Sequence, residues 1–477
     1  MKNELIIISS SQTNLDMNKK EGAFISSSDY MFENVLANEE INIQPLFDIN
    51  SIANKNLLTL EVNKETQELS KFYKAFVPDE QIEDLVVKLL NNSEIEGAYI
   101  KPSAELSRLA TNTLVNDSTN SVISFINNQG YLGNAPEGIN VHSAWNLPGG
   151  KGAGVNIIDI EGAWRFSHED LKDNQGGVID NSSVADLHLR NHGTSVLGVM
   201  SGDDNSFGIT GICPEAKIRA ISVFDKNGNI SEKSTSNAIV QAANLLKSGD
   251  IILIEIHRPG PRFHFQSPKG QSGYIPIEWW PDDLAAIQYA TSRGIVVVEA
   301  GGNGSENLDD PLYNKPAVGF PSTWTNPFNR KSSDSGAIVV GAGAPPPGTH
   351  GRNHGPDRSR LFFSNYGSMF DAQGWGDEVT TTGGINQSQG DLQGGSNEDT
   401  WYTDKFNGTS SAAPIIAGTI ACLQGILLAR NKAPLTPRNM RNLLRNTGSL
   451  QQDASMSPKT QRIGNRPNLE QLIRALK

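Results

Sequence analysis

The sequence predicts an α/β fold, in which a doubly wound, mainly parallel sheet with helices on both faces follows a small α+β N-terminal domain. From about residue 150, short apolar runs typical of buried strands alternate with helical segments that end in glycine. Such alternation indicates parallel strands in one sheet, covered by helices. Before that point the chain is more acidic, since residues 1–135 carry 10 Lys and Arg against 19 Asp and Glu.

The composition of the front part predicts its division into units. NLLTLEV and KFYKAFV are typical of short strands, DEQIEDLVVKLLNN of an amphipathic helix and EIEGAYIKP of another strand. The stretch that follows is polar and rich in Asn, Ser and Thr, as linkers are. We predict an N-terminal extension of unclear role over residues 1–56, a compact α+β module over 57–107, a linker and candidate processing region over 108–132, and the main domain over 133–477.

Apolar runs in the main domain predict its strands and helices. Buried strands are expected at 155–160, 217–224, 251–256, 294–300 and 336–343. Helices are expected at 234–249 and 282–294, between these strands. Because ligands in such folds bind beyond the carboxyl ends of the strands, we expect the functional groups at that edge of the sheet.

Charge and composition exclude several classes of protein. The net charge of −12 disfavours a nucleic-acid partner, whose phosphates require a basic face. The two cysteines, Cys213 and Cys422, lie in apolar contexts and are expected to be buried thiols rather than a disulfide framework. The start MKNELIIISSS lacks the apolar length of a secretory signal or of a membrane span of about twenty residues. We therefore expect a cytoplasmic protein without a membrane partner, although export by another route stays open.

Four segments place polar side chains where chemistry could occur. Asp159 ends a predicted strand, His192 precedes a Gly-Thr-Ser that can open a helix, and Asn303 lies in a Gly-rich loop after a strand. Ser410 begins a helix that is apolar nearly all round. Its hydroxyl is expected at the positive end of the helix dipole, where a negative intermediate is stabilised, and its unpaired N–H can point at that intermediate. Taken singly, each residue also fits a structural role, such as a helix-start serine or a turn asparagine.

Together the four segments resemble the subtilisin-like serine proteases. HGTSVLGVMSG is similar to the family's His motif, GTSSAAPIIAG to its Ser motif and NIIDIEGAWRFSHEDL to its Asp motif, in the family's order. The resemblance spans roughly residues 133–477. It implies a serine endopeptidase with Ser410 as the nucleophile, His192 as the general base and Asp159 as the acid that orients the imidazole. It also implies an oxyanion hole formed by Asn303 and the Ser410 N–H.

The front module more loosely resembles the inhibitory pro-domain of these proteases, whose tail runs through the active site before it is cut. The resemblance implies that the chain's own N-terminal region is an intramolecular inhibitor. Cleavage is then expected in or near residues 101–132. A permanently attached regulatory domain is the alternative.

Two segments depart from the family pattern at the expected site. DIEG stands where the family has DTG, which places Glu161 near the site. IEIHRPGP replaces the family's substrate-pairing strand, and puts Glu255, His257 and Arg258 where the substrate backbone and the first specificity pocket should lie. We expect these three residues to bind substrate.

Glu299 precedes the Gly-rich loop and is also unusual for the family; with Gly301 and Gly302 it is expected near the substrate. We interpret Glu255 or Glu299 as a residue that makes the pocket prefer substrates with a basic or polar residue before the scissile bond. Buried carboxylates that accept backbone N–H groups are the alternative interpretation.

The resemblance implies a polypeptide substrate and no required cofactor. Structural calcium is possible, because the family often binds it and the acidic loops 305–311 and 202–208 offer oxygen ligands. Acidic loops are also commonly solvated without an ion. A transpeptidase or cyclase on the same triad stays open, since hydrolysis and acyl transfer share these groups. A partner-gated or inactive binding module is the remaining alternative.

Overall fold

Two units with separate sheets make up the part of the chain that the structure describes. The computed structural model describes residues 2–10, 43–48, 64–107, 123–179, 184–228, 234–266 and 269–476. The first unit is an N-terminal module, and the second is the main domain with its large parallel sheet.

The N-terminal module is a four-stranded sheet in the order β2-β3-β1-β4. Its elements are β1 (Lys2–Ser9), β2 (Ile43–Pro45), α1 (Lys64–Leu69), β3 (Phe72–Pro78), α2 (Asp79–Leu90) and β4 (Ile95–Lys101). Because β1 pairs antiparallel with both β3 and β4, the module does not begin at residue 57 as predicted. Part of the predicted extension is its central strand. The strand predicted from NLLTLEV lies outside the described residues.

The two faces of β1 serve different packing partners. Leu5 and Ile7 pack in the module's own core with α2, whereas Ile6 and Ile8 belong to a core that continues into the main domain. This division follows from the period-two alternation of side chains along a strand. The module therefore shares one hydrophobic core with the domain on which it lies.

Seven parallel strands form the main sheet, in the order β14-β13-β12-β9-β6-β8-β7. The predicted α/β fold is confirmed. All five predicted runs form strands, and the run at 251–256 is divided at Glu255 into two. The seven strands of this sheet are β6 (Asn156–Glu161), β7 (Gln175–Val178), β8 (Lys217–Ser222), β9 (Ile251–Ile254), β12 (Val296–Ala300), β13 (Ile338–Gly343) and β14 (Ala372–Trp375). A three-stranded sheet consists of β5 (Glu105–Leu106), β10 (Ile256–Pro259) and β11 (Tyr274–Pro276), and a two-stranded sheet of β15 (Val379–Thr382) and β16 (Tyr402–Phe406).

Helices cover both faces of this sheet. The helices of the main domain are α3 (His142–Trp145), α4 (Leu187–Ser201), α5 (Thr235–Leu245), α6 (Pro281–Ser292), α7 (Thr409–Ala429), α8 (Pro437–Asn446) and α9 (Leu469–Ala475). Ile157 packs in the core with α4 and α7, whereas Ile158 packs in the core with α5 and α6. By the same alternation, Asp159 and Glu161 lie on the face covered by α4 and α7.

Helix α7 is the central helix of the core. It begins at Thr409, after Gly408, whose φ of 98° favours glycine. Among the described residues it is the one helix long and apolar enough to cross a membrane, but 89% of its apolar stretch is buried inside the domain. Cys213 and Cys422 are free and buried, as expected.

Part of the predicted linker belongs to the main domain. Phe125 packs on Tyr402 with ring centroids 5.2 Å apart, and Tyr131 is buried against Trp375. Residues 108–122 lie outside the described residues, so most of the predicted processing region does too.

Candidate active site

The imidazole of His192 lies within helix α4 rather than at its start. The helix begins five residues earlier, where the Asp186 carboxylate caps it by accepting the Leu189 N–H. His192 Nδ1 lies 2.5 Å from Glu161 Oε2, and both side chains are buried. The ring packs edge-on against Phe406 at 5.5 Å. A carboxylate on Nδ1 directs the other ring nitrogen towards proton transfer.

Asp159 does not make this contact. Its Oδ2 accepts a hydrogen bond from Trp164 Nε1 at 2.7 Å. Glu161 lies two residues further along β6, at the end of the strand and on the same face. The prediction that Asp159 orients the imidazole is therefore wrong for this contact. DIEG offers two carboxylates on one face, and only the position of the strand end decides which one reaches His192.

Three carboxyl groups share this buried region. Burial, and then the charge of Glu161 and a hydrogen bond with it, raise the pKa of Asp159 well above its usual range. Burial, and then the charges of Glu161 and Asp159, also raise the pKa of Glu255, with the nearby Ser410 hydroxyl acting in the opposite direction. Both shifts favour the protonated, neutral form of Asp159 and Glu255.

Ser410 is the second residue of helix α7 and is completely buried. Its Oγ has no hydrogen-bond partner in the described part of the chain. Its backbone N–H donates to the carbonyl oxygen of Ser107 at 3.2 Å. The first N–H groups of a helix have no partner within the helix, and the positive end of the helix dipole favours negative charge there. The Ser410 N–H thus faces the Ser107 carbonyl group.

The Asn303 loop packs against the start of α7. Asn303 Oδ1 accepts from the Thr409 N–H at 2.9 Å and from Thr409 Oγ1 at 3.0 Å, and its Nδ2 donates to Gln271 Oε1 at 3.5 Å. The Gly302 N–H donates to Thr409 Oγ1, and the Gly301 N–H to the Val340 carbonyl. These bonds fix the amide of Asn303. The predicted role of Gly301 and Gly302 in binding substrate stays a prediction.

The end of the N-terminal module lies along this site as an extended strand. β5 pairs antiparallel with β10, with Leu106 opposite Ile256 and Glu105 opposite His257. The Ser107 N–H donates to the Glu255 carbonyl at 3.2 Å, and Ser107 Oγ lies within hydrogen-bond distance of Thr409 Oγ1, at 3.0 Å. Main-chain pairing of this kind is how a groove holds an extended peptide.

Two of the predicted substrate-binding residues contact this peptide or the loop beside it. Arg258 Nη1 donates to the Pro102 carbonyl at 2.5 Å. His257 Nδ1 accepts the Asn303 N–H at 3.3 Å, and burial lowers the pKa of His257 to about 3, so the ring is neutral. Arg258 therefore holds the peptide upstream, and His257 holds the loop.

Glu299 lies on the opposite face of the sheet. Its Oε1 accepts the Ile277 N–H at 2.8 Å, and burial, and then the charge of Glu278, raise its pKa well above the usual range. For Glu299 this contact agrees with the alternative interpretation, a buried carboxylate that accepts backbone N–H groups. Glu255 lies beside Ser410, but its raised pKa disfavours the negative charge that a basic side chain would require.

A buried ionic cluster joins the N-terminal module to helix α6, and sequence analysis missed it. Lys101 Nζ pairs with Asp282, and with Asp283 at 2.8 Å, while the Tyr99 hydroxyl donates to Asp282 at 2.7 Å. All three charged side chains are completely buried. The Pro-Asp-Asp that opens α6 is the sequence signal, but its partner lies 181 residues earlier.

The acidic loops proposed for calcium are held by protein groups. Their carboxylates accept hydrogen bonds or form ion pairs at Asp203, Asp204, Glu306, Asp309 and Asp310. Among the described residues, one group of three has potential metal-binding atoms close together, namely His354, Asp377 and Glu378. Glu378 there already bonds His354 Nε2 at 2.8 Å and Arg352 at 3.0 Å. The carboxylates of both loops thus have protein partners, and structural calcium stays a prediction.

Comparison with known sequences finds one family. A family model described as the subtilase family matches residues 137–466. Thermitase of Thermoactinomyces vulgaris is 28% identical over 209 residues, which cover 43% of this chain and 67% of thermitase. Subtilisin DY of Bacillus licheniformis is 26% identical over 63% of this chain and 86% of its own length. A calcium-dependent protease of Trichormus variabilis is 28% identical over 61% of this chain, but only 41% of its own length is matched.

Solved structures show the same fold at low identity. The epidermin leader peptide processing serine protease of Staphylococcus aureus matches with a TM-score of 0.57 and 17% identity, over 99% of this chain and 98% of that one. Fervidolysin of Fervidobacterium pennivorans matches with a TM-score of 0.58 and 16% identity, over 100% of this chain and 61% of that one. The likeness therefore extends over the N-terminal module as well as the main domain.

Proposed function

The chain belongs to the subtilase family and is a serine protease, and we propose that Ser410, His192 and Glu161 carry its reaction. Polypeptides are then its substrates. The proposal differs from the family pattern in one respect, which is that a glutamate two residues beyond the expected aspartate orients the imidazole.

In the proposed reaction, the same three groups form the acyl-enzyme and then hydrolyse it. The Ser410 oxygen attacks the carbonyl carbon of the scissile bond while His192 Nε2 takes the hydroxyl proton. Glu161 holds the Nδ1–H and stabilises the imidazolium that forms. His192 then gives the proton to the leaving amine, the C–N bond breaks, and water hydrolyses the ester on Ser410 by the same steps.

Two donors are proposed for the negative oxygen of the intermediate. The Ser410 N–H already donates to a carbonyl, and the amide of Asn303 is fixed through its oxygen. One N–H of its Nδ2 donates to Gln271, and we propose that the other donates to the negative oxygen. Such a side-chain donor contributes about 10²–10³ in rate in proteases of this type. The same amide contacts Gln271, which lines the groove.

The observation that carries the proposal is the position of the Ser107 carbonyl, 3.2 Å from the Ser410 N–H at the end of a paired strand. This is the geometry of a bond presented for cleavage. We infer that the enzyme cuts its own chain between Ser107 and Arg108, and that residues before the cut restrain the site while they occupy it.

Intact mass spectrometry of the purified full chain tests this inference. We expect the wild type to separate into fragments 1–107 and 108–477, which together weigh one water more than the chain, and Ser410→Ala to stay whole. Ser411→Ala is the matched control, because Ser411 Oγ donates to the Trp375 and Gly408 carbonyls instead of facing Ser107. A wild type that stays whole contradicts self-cleavage, and a Ser410→Ala variant that is cut contradicts the nucleophile.

We assign no step to calcium. One relative is named a calcium-dependent protease. In this chain the carboxylates of both acidic loops are engaged by protein donors, and we propose that those bonds alone hold the loops.

A further inference from the structure

We propose that the groove selects polypeptides with a glutamate at the third residue before the scissile bond, and that Tyr274 and Gln271 recognise its carboxylate. The inference rests on the proposed function, because it takes Ser107 as the residue before the cut. Glu105 is then the third residue before the cut, and side chains of the groove donate hydrogen bonds to both of its carboxylate oxygens.

Each carboxylate oxygen of Glu105 has its own donor. The Tyr274 hydroxyl donates to Oε1 at 2.6 Å, and Gln271 Nε2 donates to Oε2 at 3.2 Å. Gln271 Nε2 also donates to the Leu106 carbonyl at 2.8 Å. One amide therefore binds the peptide backbone and the side chain before it together, which fixes the register of the glutamate.

Groups outside the peptide also hold Tyr274 in place. It is completely buried, and its ring packs against His257 with centroids 4.5 Å apart. Its carbonyl accepts from Asn365 Nδ2 at 2.8 Å, and β11 pairs with β10. A donor fixed in advance loses little freedom when the substrate binds, so its hydrogen bond contributes more to selectivity.

Gln271 has an unusual backbone for its position. Its φ is 63°, in the left-handed region that residues other than glycine seldom adopt. Strained conformations of this kind persist where the surrounding structure enforces them, often at ligand sites. Here the conformation places the amide between Glu105, the Leu106 carbonyl and Asn303.

The chemistry of the site favours an anion. Its two contacts are donors, and hydrogen bonds from such donors to an ionised acceptor are roughly twice as strong as those between neutral groups. The neighbouring His257 is neutral, because burial lowers its pKa to about 3, so it adds no charge of its own. Glutamine can accept one of the two bonds through its amide oxygen, alanine accepts neither, and lysine would place a cation against two donors. The expected order is therefore Glu, Gln, Ala, Lys.

A set of peptides tests this order. Each peptide copies residues 104–111 (AELSRLAT), with Glu, Gln, Ala or Lys at the second position, and is cleaved by the full chain after it has processed itself. We expect kcat/KM for the glutamate peptide to exceed that for the alanine peptide about tenfold, as one charged hydrogen bond allows. The ratio of the two should fall several-fold in Tyr274→Phe.

Tyr313→Phe is the matched control, since Tyr313 is also buried and donates to a carboxylate, that of Glu306 at 2.6 Å, but lies outside the groove contacts. Its Glu to Ala ratio should equal that of the wild type. Equal cleavage of the four peptides overturns the glutamate preference and leaves the proposed function standing. Absence of cleavage above the level of Ser410→Ala overturns the proposed function itself. A preference that Tyr274→Phe leaves intact overturns the assignment to Tyr274.

Discussion

Glu161 and Asp159 share one buried face of a strand, and their environments separate their charge states. Asp159 has a raised pKa, a hydrogen bond with Glu161 and a donor in Trp164. A protonated Asp159 keeps its proton and donates a hydrogen bond to Glu161, so that the charge facing His192 resides on Glu161. Asp159 is then a positioning residue for the carboxylate that holds the imidazole.

Neutral substitutions should distinguish the role of Glu161 from that of Asp159. Glu161→Gln removes the charge beside His192 and should lower kcat by about 10³–10⁴. Asp159→Asn should stay within about tenfold of the wild type, because an amide can still accept from Trp164 and donate to Glu161. The rate of self-cleavage, followed by intact mass, measures both. The opposite order, with Asp159→Asn the more damaging, would return the orienting role to Asp159.

At the scale of elements, contiguous patterns were predictable and pairings between distant segments were not. β12 and α7 follow from contiguous apolar runs, and Asn303 lies just after β12 and Ser410 at the start of α7. The pairing of β1 with β3 and the Lys101 cluster depend on partners far apart in the chain. The acid beside His192 escaped prediction because a difference of two residues preserves the face of a strand.

The docking of β4 on helix α6 should depend strongly on Lys101. In the uncleaved Ser410→Ala background, Lys101→Met leaves Asp282 buried without its cation and Asp283 with Arg258 alone, which should lower the free energy of unfolding by about 3–5 kcal/mol. The matched control is Lys71→Met, which removes only a partly exposed pair with Glu68 and should cost about 0–1 kcal/mol. Denaturant unfolding measures both, and equal losses would contradict a special role for the cluster.

At the scale of the whole molecule, an acidic N-terminal module covers the site of the domain that follows it. Their interface contains carboxylates, Lys101 and Arg258, and its proton uptake is therefore linked to docking. The cytoplasmic location and the absence of a nucleic-acid partner stay predictions.

Docking of the cleaved module should weaken as the pH rises. Burial, and then the charge of Asp282, raise the pKa of Asp283 to about 6, and burial likewise raises that of Glu4. These groups bind protons more tightly when the module is docked. The affinity of the module for the domain therefore increases as the pH falls through about 6, and this gain is absent at higher pH. Lys101 lowers the pKa of Asp282 although Asp282 is buried. The charge of Asp282 therefore affects the pH dependence of docking only below its ordinary pKa of 3.8. Size-exclusion chromatography should retain more module on the enzyme at pH 5 than at pH 8; greater retention at pH 8 would contradict this linkage.

The central place of β1 in its sheet has a consequence for the order of synthesis. Because β1 precedes β3 and β4 in the chain, it can pair with them only after both have been translated, so the sheet of the module can close once Lys101 has left the ribosome. Ser410 is translated long after that point. All strands of the module are therefore available to pair before the serine that the module covers has been translated.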